Sequence, residues 1–135
     1  MGAWGIGSFD NDNACDWLLD LIDGEDLAPL RVAITQVLAD DDYLDSDVAV
    51  EALAAIEVLA ATLGRPTAAI TDEDDLRAWL ARLQPQADTA LVREALRAID
   101  RILAPESELR ELWEETEDYD DWRADVGRLR SHLTA

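Results

Sequence analysis

From Asp47 to Leu63 the chain reads DVAVEALAAIEVLAATL. Ala49, Ala52, Leu53, Ile56, Leu59, Ala60 and Leu63 recur at helical spacing, and most positions between them are Ala or Val. Only Glu51, Glu57 and Thr62 interrupt the apolar run. A helix that is apolar on nearly every side has almost no solvent face, so other elements must surround it. The spacing therefore predicts a central helix over 47–63, stopped by Gly64 with Pro66 just beyond.

The remaining segments supply the surround. A first helix is expected from Asn11 to Ile22, with Ala14, Trp17, Leu18 and Leu21 on one face, Asp10 or Asn11 as its cap, and Gly24 at its end. LAPLRVAITQVLA follows, with Leu27, Leu30, Ile34, Val37 and Leu38 in register and Pro29 tolerated in the first turn. Thr71 to Asp74 reads as a capping-box variant that opens a short helix through Leu76, Trp79, Leu80 and Leu83, up to Pro85. Val92, Ala95, Leu96, Ile99, Ile102 and Leu103 mark a long helix ending near Pro105. SELRELWEE gives another, and Trp122, Val126, Leu129 and Leu133 a last one, with basic side chains near its C-terminal end. No segment alternates as a half-buried strand would. The expected architecture is all-α: a single domain over 1–135, a bundle of about seven helices with a docked Gly/aromatic N-terminal segment.

Charge narrows the function classes. The chain has 31 acidic and 11 basic residues, every basic one an Arg, for a net charge of -20. Such a field repels nucleic acid and anionic membrane, so neither is expected as a partner, and it attracts a basic protein or divalent cations. An acidic coat that only reflects its host's composition is the other reading. With Cys15 the single cysteine, no internal disulfide is implied. One Cys and one His, His132, are too few for zinc or haem ligation, and Leu129 stands where a Glu-x-x-His motif needs glutamate. No cofactor or metal is expected. The acid-rich start lacks a signal-peptide pattern, no apolar run reaches the ~20 residues of a membrane span, and Ile6 replaces the Ser/Thr that acylation favours. The expectation is a cytoplasmic protein.

Carboxylates are the abundant reactive groups. Asp12, Asp16 and Asp20 step by four along the first helix with Asp23 close by, a like-charge stripe that costs roughly 0.2–0.5 kcal/mol per pair. It reads as a solvated face, as a partner for the Arg93, Arg97 and Arg101 stripe, or as a surface for a basic protein or cation. Asp40, Asp42 and Glu51 imitate part of a calcium loop, but Leu44 replaces a ligand and Asp45 the required Gly. Glu114 to Asp118 (EETED) resembles half of a pyrophosphohydrolase magnesium motif, without the second half, and reads as an exposed helix end. Cys15 reads as a core thiol and His132 as an exposed imidazole at a helix end. Glu57, inside the apolar helix, is a buried-carboxylate candidate that needs an Arg or hydrogen-bond donors; a structural Glu–Arg pair is the default and a functional carboxylate the alternative.

The opening MGAWGIGSFDNDNACDW sets Gly2, Gly5 and Gly7 among Trp4, Ile6 and Phe9. Glycines let the backbone lie close to other chain, and the apolar side chains anchor it, with Phe9 placed to pack on Ala14 as a staple. A phosphate loop would need a preceding strand and a Lys, and Asp10 and Asp12 stand where the anion would sit. The segment reads as a latch.

This opening also resembles a bacterial family, domain-of-unknown-function family forty-two fifty-nine, whose members begin W-G-x-G-x-F-[DE]-N-D-x-A-x-D-[WF]. Trp4, Gly5, Gly7, Phe9, Asp10, Asn11, Asp12, Ala14, Asp16 and Trp17 match residue by residue. Tyr43 to Pro66 and Ser107 to Trp122 are similar as well, so the resemblance covers nearly the whole chain. It implies a small bacterial protein with no assigned activity, and an immunity or inhibitor role against a toxin.

Three function classes follow: an acidic interaction protein that neutralises a basic partner, a carboxylate-based Mg-dependent hydrolase, and a structural domain with no dedicated ligand. The missing catalytic residues favour the first.

Overall fold

The computed structural model describes residues 5–39 and 42–134. Among them lie seven α-helices and no strand, so the fold is all-α, as the spacing predicts. The helices are α1 (Asp12–Asp23), α2 (Ala28–Ala39), α3 (Ser46–Thr62), α4 (Asp74–Leu83), α5 (Thr89–Leu103), α6 (Glu108–Glu114) and α7 (Tyr119–Thr134), with a 3-10 turn at Ala68–Ile70.

α3 is the hub. Every residue from Ala52 to Ala60 is buried, Glu57 included, because α1, α2, α5, α6, α7 and the 3-10 turn all pack on it. Its small Ala side chains let the neighbours approach, and its Leu, Ile and Val side chains fill the gaps between them. The stop is a Schellman motif: Arg65 N–H donates to Ala60 C=O and Gly64 N–H to Ala61 C=O, with Gly64 at φ +78. That left-handed backbone is the physical need for glycine there.

Side-chain caps fix most of the starts. Asn11, not Asp10, caps α1, its Oδ1 accepting from Ala14 N–H at 2.8 Å. Asp45, Asp88 and Ser107 do the same for α3, α5 and α6. The Thr71 capping box does not form. Thr71 closes the 3-10 turn with its backbone N–H, and α4 begins at Asp74 behind Glu73 without a side-chain cap bond. α7 starts at Tyr119, before its first buried residue Trp122, in an acidic first turn that suits the helix dipole.

Two long-range ties set the outer layer. Trp79 of α4, 2% exposed, donates its indole N–H to the Gly24 carbonyl at 2.9 Å and pins α4 to the end of α1. Leu44 and Ser107 form an isolated parallel bridge, in which Leu44 N–H donates to Glu106 C=O and Glu108 N–H to Leu44 C=O, both 2.9 Å. The segments leading into α3 and α6 are thereby held side by side.

Candidate functional site

The N-terminal motif is built around one carboxylate. Asp10 folds back so that its Oδ2 accepts from Gly7 N–H at 3.0 Å, while Asp10 N–H donates to Gly7 C=O at 3.0 Å. A Cβ on Gly5 or Gly7 would stand 2.6 or 2.7 Å from that Oδ2. The two glycines are therefore the space the carboxylate occupies. Phe9 and Ala14 are both buried in the core, and Trp17 packs partly against it. Trp4 lies outside the described residues.

Ser8, within that turn, is 7% exposed, and its side chain favours the charged form of Glu57 on α3. Glu57 is 2% exposed and accepts from Thr67 Oγ1 at 2.5 Å. The Glu–Arg pair expected from sequence does not form among the described residues; the Thr67 hydroxyl holds the carboxyl instead. Burial pushes its pKa up to about 7, aided by repulsion from Asp125 and opposed by the Thr67 bond, by the Ser8 side chain and by nearby His132. Glu57 borders a cavity of about 140 Å³ with Thr67, Asp125, Arg128 and His132. His132 Nδ1 lies 2.7 Å from the Arg65 carbonyl, which only accepts, so Nδ1 carries the proton in that bond. Arg128 meets Asp125 at 3.4 Å. The Thr67 bond fastens the start of the 3-10 turn to the hub, and the Arg65–His132 bonds fasten α7 to the segment just beyond it.

A second feature lies outside. Asp12, Asp16, Asp20 and Asp23 are all exposed on α1, and Leu19, 60% exposed, stands among them. The pairing with Arg93, Arg97 and Arg101 does not occur: none of the ion pairs among the described residues joins the two stripes. α1 packs on α3 and α4, whereas α5, which carries those arginines, packs on α2, α3, α6 and α7. Arg101 instead donates to the Asp42 and Glu106 carbonyls. Acids on both flanks extend the face. Glu51 of α3 is pushed up by burial and by Asp47 and Asp20, and Glu73 by burial and by Asp72, Asp10, Asp74 and Asp75. One described ion pair touches this surface, Arg77 with Asp74 at 3.7 Å, both exposed.

Cys15 and His132 differ from their sequence readings. Cys15 is half-buried, its thiol donating to the Phe9 carbonyl at 3.2 Å, and burial together with Glu73, Asp12, Asp16 and Asp10 raises its pKa, which suppresses the thiolate. His132 is half-buried and tied to Arg65. In the partial calcium loop, Asp40 lies outside the described residues, Leu44 is buried in its bridge, and Glu51 sits inside α3. Glu114 ends α6 and pairs with Arg110 at 3.1 Å. Among the described residues, no three His, Cys, Asp or Glu side chains converge as a metal site requires.

The model of the family described as Domain of unknown function (DUF4259) matches residues 2–125. The chain belongs to this family. The matched span holds the Gly5–Gly7–Asp10 turn, the hub helix with Glu57, and the acidic face of α1; it ends in α7 at Asp125, beside the Glu57 cavity. No curated protein and no solved structure matches the chain. No helix among the described residues is long and apolar enough to cross a membrane.

Two features went unread in the sequence: the bond from Thr67 to Glu57, and an apolar groove beside the N-terminal motif. Hydroxyls carry no periodic signal, and the groove exists only where separate helices meet.

Proposed function

We propose that the protein is a non-catalytic recognition module of the bacterial cytoplasm, whose acidic α1 face binds a basic protein and neutralises it as an immunity protein or inhibitor does. One observation carries the reading: Asp12, Asp16, Asp20 and Asp23 stand exposed around Leu19, and none of them has an ion pair among the described residues. Like charges along one helix face lower its stability, and a large exposed apolar side chain in their midst contributes nothing to the core. A basic surface with an apolar recess complements both, and the -20 net charge steers such a partner in. A Mg-dependent hydrolase needs acids converging on one point, whereas this face spreads them over a helix.

The test is affinity capture from host lysate at low and high salt, with the wild type beside an Asp16→Asn/Asp20→Asn/Asp23→Asn variant. A basic protein retained by the wild type at low salt, released at high salt and ignored by the variant is the expected outcome. Equal retention by both chains, or none by either, refutes the proposal.

A further inference from the structure

The groove beside the N-terminal motif has a volume of about 190 Å³ and lies between residues 5–8, the first turns of α1 and α3, α6 and α7. Its walls include Leu53, Trp113 and Trp122, all buried, and half-buried Val50; Trp113 and Trp122 stack at 6.2 Å between ring centroids. Asp12 and Asp47 stand on it and are both exposed. An apolar recess with polar side chains and two carboxylates on its rim has the anatomy of an interface anchor site, in which one large side chain is desolvated and polar neighbours exclude water. Asp12 also belongs to the α1 stripe, and Asp47 and Asp20 both repel the Glu51 carboxylate. A second copy of this chain would bring another -20 to the same place, so the field selects a foreign, basic occupant.

We infer that this groove receives one large aliphatic side chain of a basic partner segment, flanked there by arginines or lysines that meet Asp12 and Asp47. The inference rests on the acidic-face reading and adds to it a sequence requirement on the partner: an apolar residue embedded in basic ones. Charge supplies the encounter and the groove supplies discrimination, because an alanine in place of the anchor leaves the recess unfilled.

The probe is a capped arginine-rich peptide with one central leucine, compared with the same peptide carrying alanine there. Binding is read by titration calorimetry at low salt and by the indole N–H resonances of Trp113 and Trp122. The leucine peptide is expected to bind about tenfold tighter than the alanine peptide and to move both resonances. Val50→Phe is expected to erase that preference while leaving the alanine peptide's salt-sensitive binding intact. The resonances of the wild type decide the matter should that variant fold poorly. Equal, salt-sensitive binding of both peptides, with the two indoles unmoved, overturns the groove and leaves the acidic face standing. No binding of either peptide removes both readings. A leucine preference that emerges only in Trp4→Ala assigns the groove to the chain's own leader, and a dimer abolished by Val50→Phe assigns it to a second copy; each overturns the inference.

Discussion

Replacing Glu57 with glutamine makes protein stability report the buried carboxyl directly. The carboxyl's pKa rises from an ordinary 4.5 to about 7 on folding, chiefly through burial. Each tenfold change in proton affinity is worth about 1.36 kcal/mol, so the charged form is disfavoured in the fold by about 3 kcal/mol. Between those two pKa values the native protein holds a proton that the unfolded chain has released. Stability therefore falls as pH rises through this window and levels off above about 7. Glutamine keeps the shape and an acceptor oxygen for the Thr67 hydroxyl, and it does not titrate. The other acids also change charge with pH, so the informative quantity is the wild-type-minus-variant difference, measured by urea denaturation from about pH 5 to about pH 8. The two proteins should be nearly equal at the acid end, and Glu57→Gln should gain up to about 3 kcal/mol at the alkaline end. A difference that stays constant across the range would show that Glu57 does not titrate there, and the account of its site would fail.

Gly7→Ala should cost about 1 kcal/mol, because its Cβ displaces the Asp10 carboxylate and breaks the bond to Gly7 N–H. In an Asp10→Ala background the same substitution should cost much less, and a thermal-denaturation double-mutant cycle measures the coupling. The Asp16→Asn/Asp20→Asn/Asp23→Asn variant should be more stable than the wild type by up to about 1 kcal/mol at low salt, a gain that shrinks as salt is added. Equal salt dependence of the two chains would contradict the unpaired face. Cys15 should react with iodoacetamide at neutral pH more slowly than a free cysteine peptide, since its thiolate is disfavoured. Trp122→Ala should remove about 3–5 kcal/mol, read from the denaturation midpoint, because the ring is 2% exposed and stacks on both Trp113 and Tyr119.

Helices and hub were legible because both follow from spacing along the chain. Apolar residues at i, i+3 and i+4 place one stripe on each outer helix, and an all-round apolar run such as Ala52 to Ala60 has to go inside. Gly64 as a stop and Asn11 as a cap follow from local backbone chemistry. Local signals failed where two of them competed for one residue, as at Thr71, which the 3-10 turn claims.

What the sequence by itself determined is therefore the helical class, the central helix, the family motif and the excess of negative charge, all properties of neighbours along one chain. Tertiary structure alone decided the rest. It gave Glu57 a threonine hydroxyl in place of an arginine, turned Asp10 onto the backbone beside Gly5 and Gly7, packed α1 and α5 on different neighbours so that no described ion pair joins their stripes, and opened a groove between helices. Which charges meet and which remain unmatched depends on how helices pack, because ionic contacts act over a few ångströms in space and are indifferent to distance along the chain.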